Sequence, residues 1–117
     1  MLYQGSVSDY SIQIMPSNWT GPFGYTRLVV LYVALSGGGN GIAELCFVPA
    51  GRPVPDGSVR AGTTDPVVFD LFLPMEDYTA IVDLVSNEKP IYWYFDDTSL
   101  ELSVTTQGEV VGEDLGK

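Results

Sequence analysis

Histidine is absent from this chain of 117 residues, and cysteine occurs once, at Cys46. The first absence removes Ser-His-Asp and Cys-His nucleophile systems, imidazole metal sites and the commonest general acid–base group. With one thiol and no imidazole, zinc sites of the usual kinds are excluded as well. A disulfide within the chain is impossible, and a cytoplasmic setting is the expectation. Positive charge is scarce: five Lys and Arg stand against 15 Asp and Glu, for a net charge of −10. Residues 56–117 hold 13 acids against Arg60, Lys89 and Lys117, which accounts for the whole imbalance. Such a surface repels phosphate and argues against nucleic acids and anionic membranes as partners. Its plain reading is solubility; the sharper one is steering toward a basic partner. No run of 18 apolar residues occurs, so no transmembrane helix is expected. The opening "MLYQGSVSDYSIQIM" has no basic segment followed by an apolar one, so no signal peptide is expected.

What the chain does have is strand-forming residues. Ser8 to Met15 alternates, with Tyr10, Ile12 and Ile14 on one side and Ser11 and Gln13 on the other. "PSNWTGPFG" (16–24) is dense in Pro and Gly and reads as a loop. "YTRLVVLYVAL" (25–35) is apolar on both faces, which argues for a central strand covered twice. "SGGGNG" then links it to "IAELCFV" (42–48) as a hairpin. Residues 49–66 form a long connection with a short edge strand expected around Val59. "VVFDLFL" (67–73) is another strand, apolar except at Asp70.

The period then changes. Tyr78, Ile81, Val82 and Val85 follow the i, i+3, i+4, i+7 rule of an amphipathic helix near residues 75–88. Glu76 and Asp77 suit its first turn, and Pro90 forbids its continuation. "IYWYF" (91–95) and "LELSVTT" (100–106) are two more strands joined by "DDTS". The composition and pattern predict one α+β domain over 1–117: a mostly antiparallel sheet of five to seven strands, a partial barrel or sandwich, with a single helix. A flexible acidic tail is expected near 107–117. One helix cannot cover so much apolar strand. Trp93 and Phe95 are expected in one layer, and Tyr92 and Tyr94 in a wetter one, where a hydroxyl can reach water.

Each candidate for chemistry has a plainer explanation. Cys46 lies inside a strand and reads as a buried small hydrophobe. The glycine run lacks the Lys-Ser/Thr and the helix of a phosphate loop. Asp96, Asp97 and Glu101 lack calcium-loop spacing and suit a hairpin turn. Asp70 is the one carboxylate placed to be perturbed, with Arg27 a conceivable partner. "NWT" (18–20) matches a glycosylation acceptor. Trp19, Tyr92, Trp93 and Tyr94 are the candidates for an interface or a stacking platform.

The closing stretch "SNEKPIYWYFDDTSLELSVTTQGEVVGEDLG" resembles the ending of small bacterial proteins of unknown function, with a helix, N-E-K-P, an aromatic strand, a strand ending in Thr and a V-G-E tail. It spans about a quarter of the chain. The resemblance implies a bacterial cytosolic protein and no activity. The expected function is therefore non-catalytic: an interaction protein that self-associates, most simply as a homodimer, with no cofactor and no metal. The alternatives are a small-ligand or carbohydrate-binding module built on the exposed aromatics, and an acidic accessory or inhibitor protein for a basic protein partner.

Overall fold

The computed structural model describes residues 1–15 and 26–106. β1 is Leu2–Ile14, β2 Arg27–Leu35, β3 Asn40–Val48, β4 Ser58–Val59 and β5 Val67–Pro74. A 3-10 turn, Met75–Asp77, leads into α1, Tyr78–Asn87; β6, Tyr92–Asp96, and β7, Leu102–Thr105, follow. The strands form one sheet in the order β4-β5-β3-β2-β1-β6-β7. Neighbours are antiparallel except β3 and β5, which run parallel. Parallel neighbours need a long crossover, and the 49–66 connection supplies it, contributing β4 on the way. The class is α+β, a seven-stranded sheet curled into a half-barrel, with one helix. Trp19, the Asn18–Thr20 acceptor and the 107–117 tail lie outside the described residues.

The curl follows from ring contacts between distant strands. Phe69 on β5 and Trp93 on β6 are four strand positions apart. In a flat sheet that is about 19 Å at ~4.8 Å per strand. Their ring centroids are 4.7 Å apart, and Phe95 sits 6.2 Å from the same Phe69 ring. Tyr3 on β1 meets Phe69 edge-on at 4.9 Å. The sheet has bent until the inner face meets itself. Val29, Leu31, Ala43, Leu45, Phe69 and Leu71 fill the hollow.

α1 closes part of that hollow. Tyr78, Ile81, Val82 and Val85 pack on the inner core, on the face that the helical period predicts. Tyr78 meets Phe47 edge-on at 5.0 Å. Arg27 lies over the same Tyr78 ring, 6.0 Å from its centroid. The expected double covering of β2 holds on one face only. Val29 and Leu31 are fully buried on the inner side. On the outer side Val30 is buried, but Tyr32 is 38% exposed, and no described element lies over it.

β1 is longer than its alternation predicts: it starts at Leu2, not Ser8. A bulge between Val7 and Asp9 explains the difference. An extra residue shifts the side-chain phase by one. Tyr3, Gly5 and Val7 face the core before it, and Tyr10 and Ile12 after it, so no single two-residue period spans the strand. Gly5 sits where β1 is squeezed between β2 and β6, opposite Leu35 on one side and Trp93 on the other. A Cβ at this position would fall inside the Ala34 carbonyl and 2.9 Å from Val33 Cγ1. The nearest obstacle is backbone, which cannot swing aside. Gly5→Ala should therefore lower unfolding free energy by about 3 kcal/mol, a large value for one methyl. Urea denaturation measures it; a loss under ~1 kcal/mol would show that the two strands can separate there.

Candidate functional site

The aromatic strand sorts its rings by face. Trp93 and Phe95 are each 1% exposed and belong to the inner core. Tyr92 and Tyr94 are half-buried on the outer face. Trp93 is thus a core residue and not a surface platform, a correction to its place among the candidates. Gly5, with no side chain, stands opposite it on β1.

The register surrounds the two tyrosines with short polar groups. Tyr94 lies between Gln4 on β1 and Ser103 on β7; Tyr92 lies between Ser6 and Thr105. Ala34 stands next to Ser6 on β2. With Leu2 these residues line an open groove of about 560 Å³ that contains no charged side chain. The volume is in the range of small-molecule sites. The uncharged surface continues across the sheet. Tyr32, Ile42 and Val68 are consecutive neighbours on β2, β3 and β5. Next to this stripe, one step along the strands, the surface turns ionic.

That ionic patch is built by β4. Glu44 and Asp70 are directly opposite on β3 and β5, a like-charge pairing that would destabilise the sheet by itself. Arg60, just past β4, resolves it. Its Nη2 donates to Glu44 Oε1 at 2.9 Å and to Asp70 Oδ1, and its Nε donates to Asp70 Oδ2 at 3.1 Å. Asp70 first and Glu44 second hold the guanidinium firmly charged. Asp70 therefore does find an arginine, but not Arg27, which is engaged with Tyr78. The role of Arg60 was missed in sequence; the trace it left was being the one base beside the short strand expected at Val59.

The hairpin reading of "DDTS" holds in the structure. Asp96 accepts the backbone N–H groups of Thr98 at 2.8 Å and Ser99 at 3.4 Å. The Thr98 bond, more than any other group, holds the Asp96 carboxyl below its usual range. Leu100 ends the turn with φ +66°, a left-handed conformation rare for a leucine. Among the described residues no group of three or more Cys, Asp and Glu is placed to hold a metal ion. No helix among them is long and apolar enough to cross a membrane.

Cys46 is half-buried on the outer face, beside the ionic patch. Burial first, then Glu44 and Asp70, push its thiol up to about 11, with Arg60 opposing weakly. Raising an acid's pKa disfavours its charged form in the fold. The stability this contributes is intact below about pH 9 and is lost as pH rises toward 11. At pH 8 a maleimide should label folded Cys46 about a hundredfold more slowly than the urea-unfolded chain, from two units of pKa. Equal rates in a thiol-labelling time course would show an accessible thiolate instead. In comparisons with known proteins, no family model, no curated protein and no solved structure matches the chain.

Proposed function

We propose that the chain is a non-catalytic interaction protein that associates with a second copy of itself through the outer face of its sheet. One observation carries this reading. On a chain of net charge −10, Tyr94, Tyr92, Ala34, Tyr32, Ile42 and Val68 form a stripe of uncharged residues, with a single acid at its margin, Asp9, opposite Tyr32 on β1. Two copies repel wherever their acids meet, so an uncharged stripe is where they approach at least cost. Tyrosines suit such a surface: their rings gain from burial while their hydroxyls keep hydrogen bonds. Both rings are already half-buried, so covering what remains would contribute roughly 1 kcal/mol each.

A second reading has its own support. Two tyrosines two residues apart, flanked by Gln4, Ser6, Ser103 and Thr105, offer ring faces beside amide and hydroxyl groups. A neutral oligosaccharide pairs with that chemistry, stacking its C–H faces and bonding its hydroxyls. The same groove would then be a sugar site, in competition with the second copy.

Sedimentation or light scattering over a concentration series tests the first reading. The expected mass at high concentration is a multiple of 12.7 kDa. Replacing Tyr92 and Tyr94 by Thr keeps strand propensity and should lower the assembly by one step, with a dissociation constant raised at least about a hundredfold. Added salt should tighten association, because it screens acidic repulsion around a neutral contact. A monomer at ~1 mM, or a double variant indistinguishable from the parent, overturns the reading. For the second reading, a panel of neutral oligosaccharides should shift the NMR signals of Tyr92 and Tyr94 and dissociate the assembly. Silence across the panel at ~10 mM sinks the sugar site and leaves the first reading standing.

A further inference from the structure

We propose that the open edge of β1, from Tyr10 to Ile14, pairs with the same edge of a second copy, antiparallel and centred on Ile12. This rests on the reading that the chain self-associates, and gives that association a second surface with different chemistry. β1 pairs with β2 from Gly5 to Ile14, but with β6 only from Leu2 to Ser6. The last bond on the β6 side is from Val7 N–H to the Ile91 carbonyl, at 2.8 Å. Beyond it, no described strand pairs with that edge of β1.

In an antiparallel strand, alternate residues aim both N–H and C=O to the same side. Met15 donates to the Thr26 carbonyl, so it faces β2. Ser11 and Gln13 then face β2 also, and Tyr10, Ile12 and Ile14 face the open edge. Before the bulge the phase is opposite: the Gln4 carbonyl accepts from Ser36 on the β2 side, and Val7 faces β6. Asp9 agrees with this assignment, because its carboxylate accepts the Tyr10 N–H at 2.8 Å. Ile12 and Ile14 have no such cap among the described residues.

The edge is built to match itself. Centred on Ile12, the antiparallel pairs are Ile12 with Ile12, Tyr10 with Ile14, and Ser11 with Gln13. They would form about four to six backbone bonds, depending on whether Asp9 releases the Tyr10 N–H. Residues 10–15 contain no charged side chain, on a chain of net charge −10. Ile12 and Ile14 are 37% and 64% exposed although they lie on the core-facing side of the strand. Pairing would set each against an apolar partner across the junction. Residues 10–15 contain no lysine, proline or inward charge, and the bulge and the Asp9 carboxylate guard only the start of the edge.

Amide hydrogen exchange on the full chain, read by NMR at several concentrations, tests the proposal. The Ile12 and Ile14 amides should exchange as an open edge in dilute protein and at least about tenfold more slowly when concentrated. Ile14→Lys, at the more exposed position, should abolish that protection while the β2 ladder amides of Ser11 and Gln13 stay protected. Ile12→Pro, which removes an edge-facing N–H and no β2 ladder bond, should unprotect the Ile14 amide. The Tyr92→Thr, Tyr94→Thr double variant should keep it. An assembly by mass with Ile12 and Ile14 unprotected at every concentration overturns the edge pairing and leaves the outer-face reading intact. Protection independent of concentration also overturns it, since the cover would then come from within the chain. A strict monomer overturns both.

Discussion

The contact between Phe69 and Trp93 governs the rest of the structure. It joins the second strand of the sheet to the sixth, and it exists only because the sheet bends through the intervening strands. Bending lets one face cover itself. The core then has two sources of shelter, α1 across part of the hollow and the opposite wall of the same sheet. A ten-residue helix would leave most of a flat seven-stranded face in water. Curling also sets the fate of every strand that is apolar on both sides. The residues on the inner wall are buried completely, and the outer wall gains nothing from the bend.

The bulge in β1 works with the curl. It changes which residues of β1 face inward, so Val7 and Tyr10 both join the core although their spacing is odd. A bulge also increases local twist. β1 stays with β2 through the bulge, while β6 pairs only with the part before it. One inserted residue therefore keeps the core continuous and leaves an edge that no described strand pairs with. Gly5 has a related part on the other side of the bulge. Its missing side chain lets β2 approach closely, and it stands opposite Trp93, whose ring makes the closing contact with Phe69.

Much of this was legible in the sequence wherever one period ran unbroken. The helix was visible from Tyr78, Ile81, Val82 and Val85, and the sorting of Trp93 and Phe95 from Tyr92 and Tyr94 followed from strand alternation alone. The glycine hairpin and the short strand near Val59 were also visible, because turn chemistry is local. The first half of β1 was not, because the bulge breaks the alternation that would have announced it. Arg60 as the clamp between Glu44 and Asp70 was hidden for another reason. Its position depends on β3 and β5 being parallel neighbours, a pairing that joins residues far apart in the chain. Trp93 remained a surface candidate in sequence, although tyrosine hydroxyls marked the other face as the wetter one, because both faces of its strand are aromatic and one helix is too little to cover them.

The same asymmetry bears on how acidic charge and apolar surface share the outer wall. If the acids served only solubility, they could sit anywhere, and the strand positions facing outward would be natural places for them. On β3 and β5 the register instead confines Glu44 and Asp70 to one rung, where Arg60 meets both. Neighbouring outward positions on the same strands hold Ile42, Cys46, Val68 and Phe72. Most exposed acids lie in turns and on or just after the helix, as with Asp97, Asp65, Asp83 and Glu88, and Asp9 at the β1 bulge is the one on a long strand among the described residues. Charge is thus kept to the margins and the sheet wall is left nearly neutral. In the proposed self-association, an ionic cluster amid apolar residues would add direction to a contact otherwise made by non-directional burial, since a misaligned second copy would cover carboxylates it cannot satisfy.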